Sequence, residues 1–97
     1  MSGDLTLTQD FFYTKLEIKG SSAIFYATCF QTGERSIDVF RLDHISRAHR
    51  ESRFLNLTLL GSQTVSLQCE GSWVAVGFQE TLITRMSNME LEADGNT

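Results

Sequence analysis

Residues 54–70 read FLNLTLLGSQTVSLQCE, and this stretch decides the fold. Apolar and polar residues alternate in both of its halves, which is the period of a strand that buries one face. The segment Gly61-Ser62-Gln63 between the halves is typical of a turn. The stretch therefore predicts a β-hairpin. Its buried positions are Leu55, Leu57 and Leu59 in the first strand and Val65, Leu67 and Cys69 in the second.

After Gly71 the period of the apolar residues changes from two to about four. Ser72 stands where a helix N-cap is expected, because a serine hydroxyl can accept a hydrogen bond from a free backbone N–H group of the first turn. The pattern predicts an amphipathic C-terminal helix from about Trp73 to Glu90. Its apolar positions are Val74, Phe78, Leu82 and Met86, with Ile83 and Met89 beside them.

Four further segments precede the hairpin. Residues 23–30 are apolar on both faces, which is typical of a central strand, and in residues 36–42 Ile37 and Val39 share one face. Residues 43–53 fit either a short helix or a polar strand, and we favour a strand with a kink near Asp43. Residues 12–19 alternate, with Phe12, Thr14, Leu16 and Ile18 on one face and Tyr13, Lys15, Glu17 and Lys19 on the other.

Six strand-like runs followed by one helix predict an α+β fold: an antiparallel β-sheet or partly closed barrel of about six strands with one C-terminal amphipathic helix. The 97 residues provide room for a single small β-rich domain over 1–97, with ends at 1–10 and 91–97 that should fray. The order of elements resembles that of pleckstrin-homology-like domains. Because that likeness rests on order alone, it implies no function.

The composition is that of a globular protein, with 41% hydrophobic and 21% charged residues. No stretch approaches the ~18 apolar residues that cross a bilayer, and the first residues do not resemble a signal peptide. We therefore expect a soluble, cytoplasmic protein without a membrane partner. Cys29 and Cys69 lie in separate apolar runs, which predicts two reduced thiols in the core.

The sequence contains no convincing catalytic, metal-binding or cofactor motif. Asp43, His44 and Ser46 supply the residue types of an acyl-transfer triad, but such triads are assembled from distant segments. His44 and His49 are five residues apart, which does not place them on one face of a helix or strand. The glycines are scattered and form no phosphate-binding loop. We expect no enzymatic activity, no cofactor and no bound metal.

Basic residues are concentrated in an Arg-rich segment, residues 35–53, although the net charge of the chain is −4. By strand parity Arg47, His49 and Arg53 share a face and could contact an anionic partner. Nucleic acid is the alternative partner, bound through Arg41, Arg47, Arg50 and Arg53. The pI of about 5.0 and the lack of aromatic residues interleaved with these arginines make nucleic acid the less favoured choice.

Ten aromatic residues are more than one small core must hide, so one sheet face is expected to contact a partner or a second copy in a homodimer. Trp73 begins a stripe that is either the core face of the helix or a docking surface. The leading hypothesis is a non-enzymatic protein–protein interaction module: a small regulator, inhibitor or assembly subunit that binds through a sheet face or edge and the Arg-rich segment. Its expected partner-binding residues are Arg41, Arg47, His49, Arg50, Arg53 and Trp73.

Overall fold

A computed structural model describes the backbone of residues 11–95 and the side chains of residues 11–88. Within this range six strands precede one helix, which confirms the expected α+β architecture. The expected fraying at 1–10 and 91–97 lies outside the described side chains and stays a prediction. The elements are β1 (Phe11–Lys19), β2 (Ser22–Cys29), β3 (Arg35–Arg41), β4 (Ile45–Glu51), β5 (Phe54–Leu59), β6 (Thr64–Gln68) and the helix α1 (Ser72–Gly95).

The strands form two three-stranded antiparallel sheets, in the orders β1-β2-β3 and β4-β5-β6. A parallel bridge between Tyr13 and Cys69 joins the sheets, and the N–H of Glu70 donates a hydrogen bond to the Tyr13 carbonyl at 3.0 Å. Over the described residues the sheets do not close into a barrel. The described part of the chain therefore has two joined sheets covered by one helix.

Short turns connect the strands of each sheet. Lys19 pairs with Ser22, so the β1–β2 hairpin has a two-residue loop, Gly20-Ser21. Gly20 has a φ of 59°, a left-handed value that the first central position of a type II′ turn requires and that glycine adopts without steric penalty. The expected kink near Asp43 is present as a 3₁₀ turn at Leu42–His44, and β4 follows it as a strand.

One cluster of buried residues connects both sheets with the helix. Phe25 of β2 is fully buried and makes edge-to-face contacts with Tyr13, Phe40 and Phe78, at ring-centroid distances of 6.1, 5.8 and 5.7 Å. Aromatic pairs in this geometry stabilise a core beyond the area that they bury. The hairpin prediction is confirmed, because Leu55, Leu57, Leu67 and Cys69 are buried and Leu59 and Val65 are partly buried.

The helix covers this core with the face that the sequence predicted. Val74, Phe78 and Leu82 are buried and Met86 is partly buried, whereas Ile83 is 46% exposed. Met89 lies outside the described side chains. The Gly71 carbonyl accepts hydrogen bonds from the N–H groups of Val74 and Ala75, both at 3.1 Å. Gly71 therefore takes the N-cap position, one residue before the expected Ser72.

Because of two bulges, some side chains lie on the opposite face of the sheet from the one that simple alternation predicted. The register of β1 against β2 shifts between Tyr13 and Lys15, with Thr14 as the extra residue. Tyr13 is consequently buried on the same side as Leu16 and Ile18, and the expectation that it faces away from them is wrong. A second shift, between Ile45 and Arg47 in β4, directs both Ile45 and Ala48 into the core.

Ile37 and Val39 of β3 share a face as expected, but it is the solvent-exposed one, with exposed fractions of 57% and 58%. Asp38, between them in sequence, points inward, where its carboxylate accepts a hydrogen bond from the Tyr13 hydroxyl. The register places Asp38 opposite the buried Phe25. The bulge that brings Tyr13 into the core therefore also gives Asp38 a partner on the inner side of the sheet.

Candidate protein-interaction face

The outer face of the first sheet is the surface of β1, β2 and β3 that points away from the core. The registers align residues across the three strands in rows, such as Lys15–Tyr26–Ile37 and Phe12–Thr28–Arg35. Ile37 and Val39 are more than half exposed, and so is Phe30, which directly follows β2. This face comprises Phe12, Lys15, Glu17, Lys19, Ile24, Tyr26, Thr28, Arg35, Ile37, Val39 and Arg41.

The corresponding face of the second sheet differs in chemistry. The register of β4, β5 and β6 places polar side chains on nearly all of it, and Phe54 at its end is the exception. A polar, solvated face is the ordinary outside of an antiparallel sheet, whereas exposed branched aliphatic residues beside aromatic ones are not. The polar residues are Arg47, His49, Glu51, Asn56, Thr58, Thr64, Ser66 and Gln68.

A groove of about 430 Å³ crosses the outer face of the first sheet. It forms where the short Thr28 stands among longer side chains, with Lys15 on β1 and Arg35 on β3 at opposite sides. Four hydroxyl-bearing residues add hydrogen-bonding capacity. The groove is lined by Thr14, Lys15, Tyr26, Ala27, Thr28, Arg35, Ser36 and Ile37.

The charged groups around the groove are unequally neutralised. The Tyr26 hydroxyl donates a hydrogen bond to Glu17 at 2.6 Å, which lowers the pKa of Glu17 and raises the pKa of Tyr26. The ammonium of Lys15 lies 5.2 Å from the centre of the Tyr26 ring, in cation–π contact. Arg35 has no hydrogen bond or ion pair with any described residue. Among the described residues, the groove thus carries an unpaired guanidinium on the edge strand.

An aromatic–arginine cluster, consisting of Phe12, Phe30, Arg53 and Phe54, adjoins the groove where the two sheets meet. The rings of Phe12 and Phe30 stack with their centroids 4.9 Å apart. The Arg53 guanidinium carbon lies 5.5 Å from the centre of the Phe12 ring and 6.0 Å from that of Phe54. The cluster extends the outer face of the first sheet onto the β4–β5 turn.

The structure does not bring the residues of the Arg-rich segment together. Arg41 donates two hydrogen bonds of 3.0 Å to Asp43, and Arg50 donates one to the Ser52 carbonyl at 2.9 Å. Arg41 and Arg53 lie before and after β4, whose seven residues extend about 20 Å. The expectation that Arg53 shares a strand face with two other basic residues is wrong, because Arg53 lies in the turn after β4. Those two residues are Arg47 and His49, which share the polar outer face of the second sheet.

Trp73 is 69% exposed at the start of α1, so it does not belong to the core face of the helix. Its indole lies against Gly71: a methyl group added to Gly71 would lie 2.5 Å from Nε1. Val76 and Ile83, at 36% and 46% exposure, continue an apolar stripe on the same side of the helix. No contact of Trp73 with the aromatic–arginine cluster is present in the described part of the chain.

The residues considered for catalysis and metal binding lie at the surface. Asp43 and His44 are both exposed and 4.0 Å apart, and the Ser46 hydroxyl donates to the Thr58 carbonyl at 3.0 Å rather than to a histidine. Among residues 11–88, no group of three or more histidine, cysteine, aspartate or glutamate side chains could hold a metal ion. Cys29 and Cys69 are buried and are not joined in a disulfide.

No protein-family model matches the chain, and no curated protein matches it in sequence. Within residues 11–95, α1 does not combine the length and the apolar character that crossing a bilayer requires.

Proposed function

We propose that this chain is a non-enzymatic protein–protein interaction module, a small regulator, inhibitor or assembly subunit of the cytoplasm, which binds its partner through the outer face of the first sheet. The observation that supports this most directly is the exposure of Ile37, Val39 and Phe30 on one face, around a groove with cationic sides. Protein interfaces commonly combine an apolar centre with a polar rim, and arginine and aromatic residues are enriched in them.

Arg53 connects this proposal with the Arg-rich segment. A guanidinium held against two aromatic rings keeps its hydrogen-bond donors available to a partner while its apolar faces are covered. Arg47 and His49 lie on the other sheet, and Arg41 is already paired with Asp43. Arg53 is therefore the expected arginine on the proposed contact surface whose guanidinium is not already paired with a carboxylate of the described residues, whereas Arg41, on the same face, is paired with Asp43.

The test is affinity capture of the tagged chain from a lysate of its native host at moderate salt. The face variant combines Ile37→Lys with Phe30→Ser, which places a charge on the apolar centre and removes an exposed ring. The control variant combines Arg47→Ser with His49→Ser on the other sheet. We expect a specific protein to copurify with the wild type and with the control variant, and to be lost with the face variant.

The opposite result, in which the partner is retained by the face variant and lost with the control variant, would contradict the proposed face. Arg53→Ala should weaken capture by itself, whereas charge reversal at Arg47 and Arg50 should leave it unchanged. If capture brings down no specific protein, the proposal of a protein partner fails. Circular dichroism of each variant separates loss of binding from loss of folding.

A second candidate function is single-stranded nucleic-acid binding, which the aromatic–arginine cluster supports. Exposed aromatic rings beside an arginine form a stacking platform for bases. The net charge of −4 opposes this function, because phosphate contacts normally require a basic surface. The discriminating measurement is the affinity for a fluorescent single-stranded oligonucleotide over a salt series. Binding that falls steeply with salt and is lost in Arg53→Ala would favour nucleic acid.

A further inference from the structure

The two sheets have four outer edges, and three of them are covered. The edge of β1 that faces away from β2 and the edge of β6 that faces away from β5 meet at the bridge between Tyr13 and Cys69. The edge of β4 packs against α1, where the Gln79 side-chain amide donates a hydrogen bond to the Ala48 carbonyl at 3.1 Å. Within the described residues, β3 packs against β2 and no described element covers its other edge.

The hydrogen bonds at the two ends of the β2–β3 ladder identify the backbone groups that are free at this edge. The N–H of Cys29 donates to the Glu34 carbonyl, and the N–H of Leu42 donates to the Ser21 carbonyl, both at 2.8 Å. In an antiparallel ladder, residues that exchange hydrogen bonds alternate with residues that do not. Even-numbered residues of β3 therefore bond to β2. Odd-numbered residues direct N–H and C=O outward: Arg35, Ile37, Val39 and Arg41.

The same four residues carry the exposed side chains of β3. Ile37 and Val39 form an apolar centre, and an arginine stands on each side of it. A strand added antiparallel to β3 would place alternate side chains directly beside these four. Arg35 has no ionic partner among the described residues, whereas Arg41 is paired with Asp43. Charge complementarity therefore favours an acidic side chain opposite Arg35.

A second copy of the chain fits this edge less well. If two β3 strands paired antiparallel about a two-fold axis at Asp38, Ile37 would face Val39 and Arg35 would face Arg41 of the other copy. Like charges directly opposite each other destabilise a strand pair. A shift of the register by two residues would instead place an arginine opposite an apolar residue. The edge is better matched by a segment of different sequence.

We propose that β3 accepts an extended segment of the partner protein as a seventh strand, with two alternate apolar residues facing Ile37 and Val39 and an acidic residue facing Arg35. This inference rests on the proposed function and specifies the chemistry of the partner. Backbone hydrogen bonds of the added strand supply affinity, and the alternate side chains supply specificity. The guanidinium of Arg35, which has no ionic partner among the described residues, sets the register at the side of the groove.

The first experiment uses a defined peptide and the complete ¹⁵N-labelled chain. The probe is the end-blocked peptide Thr-Val-Thr-Val-Thr-Glu-Thr, and the control peptide has lysine in place of glutamate. We expect chemical-shift changes centred on the amides of Arg35, Ile37 and Val39, with slower hydrogen exchange at Ile37 and Val39. The control peptide should bind at least about threefold more weakly, because surface ion pairs contribute modestly. Unchanged amides at these positions in millimolar glutamate peptide would overturn the proposal.

A matched pair of variants separates the backbone from the side chain. Val39→Pro removes one outward N–H group, which proline tolerates at a strand edge, and leaves the β2–β3 ladder complete. Val39→Thr keeps the N–H group and the β-branched shape. We expect binding of the peptide and of the captured partner to fall about tenfold or more in Val39→Pro and less than about threefold in Val39→Thr. Equal binding by the two variants would overturn the proposal.

The failure of this inference is distinguishable from the failure of the proposed function. If the face variant loses the partner but Val39→Pro retains it, the outer face binds the partner without strand addition, and only the inference is wrong. If the face variant retains the partner, the proposed function itself is wrong. Light scattering that shows a dimer in the wild type and a monomer in Val39→Pro would assign the edge to a second copy instead of an acidic segment.

Discussion

At the scale of single residues, Tyr13 and Asp38 form a polar contact that links β1 to β3 on the inner side of the first sheet. Tyr13 is 9% exposed, and its hydroxyl donates a hydrogen bond to Asp38. Tyr13→Phe removes this donor and leaves a half-buried carboxylate without it. We expect the free energy of unfolding to fall by about 1–2 kcal/mol, as measured by urea denaturation. Tyr26→Phe, on the exposed face, is the matched control and should change stability much less.

The same contact predicts how stability depends on alkaline pH. Burial, followed by the hydrogen bond and the charge of Asp38, raises the pKa of Tyr13 in the folded state. The unfolded chain therefore loses the phenolic proton first, at a pKa of about 10. Stability from Tyr13 should be complete below about pH 10 and decrease as the pH rises above it. In Tyr13→Phe this decrease should be shallower than in the wild type, and parallel curves would contradict the assignment.

Cys69 provides a second residue-scale prediction. Burial raises the pKa of its thiol to about 11, and the thiolate is the form that reacts. We expect native Cys69 to react slowly with a thiol reagent such as Ellman's reagent at about pH 8. Both cysteines should react rapidly after unfolding in guanidinium chloride. A fast-reacting Cys69 in the native protein would show that the joint between the sheets opens readily.

At the same scale, the sequence predicted several residues of the candidate site but not the contacts that they make. The Arg-rich segment was visible as a run of charges, but the partners of Arg41 and Arg50 depend on turn geometry that the sequence does not specify. Arg53 was identified, although its contact with Phe12 joins β1 to the turn after β4, which is distant in sequence. Arg35 and Lys15 were missed as site residues, because only strand pairing places them on either side of one groove.

At the scale of elements, β3 should show alternating hydrogen-exchange rates in the free protein. The amides of Asp38 and Phe40 bond to β2, whereas those of Ile37 and Val39 point away from it. We expect the outward amides to exchange at least about tenfold faster than the inward ones, as measured by nuclear magnetic resonance. Slow exchange at Ile37 and Val39 in a monomer would mean that another part of the chain already covers this edge.

The two bulges explain why the sequence predicted the positions of the strands better than the face on which each side chain lies. A bulge inserts one residue into a strand, so every side chain before it moves to the other face. The composition around Thr14 and Ser46 does not mark either bulge. For β3, the alternation grouped Ile37 with Val39 correctly, but periodicity cannot tell the inner face from the outer one. The available signal for the inner face was Phe40, because this large apolar residue has the opposite parity to Ile37 and Val39.

At the scale of the whole molecule, one cluster of buried residues connects the two sheets and the helix, so they should unfold together. Leu82 is fully buried in α1. Leu82→Ala should lower the free energy of unfolding by about 2–5 kcal/mol through lost burial and a cavity. The near-ultraviolet and far-ultraviolet circular dichroism transitions should remain coincident. Separate transitions would show that a sheet is stable without the helix.

The overall architecture was predictable because the strands and the helix follow the spacing of apolar residues, which is a local property of the sequence. The hairpin at residues 54–70 and the helix after Gly71 were identified from alternation and its change to a four-residue repeat. The arrangement as two joined sheets was not, because the bridge between Tyr13 and Cys69 pairs a residue of the first strand with the residue that directly follows the last one. No local pattern records such a contact.

That bridge has a consequence for biosynthesis. As the nascent chain leaves the ribosome, β1, β2 and β3 emerge before the later strands and α1 and can pair through their short turns, but the residues that cover their inner side have not yet emerged. The ring of Phe25 cannot contact Phe78 of the helix, and the edge of β1 cannot pair with Cys69, until those residues have emerged. Contacts between residues so far apart in the chain form slowly. Until α1 has emerged from the ribosome, the inner side of the first sheet therefore presents an apolar surface of the kind that cellular chaperones bind.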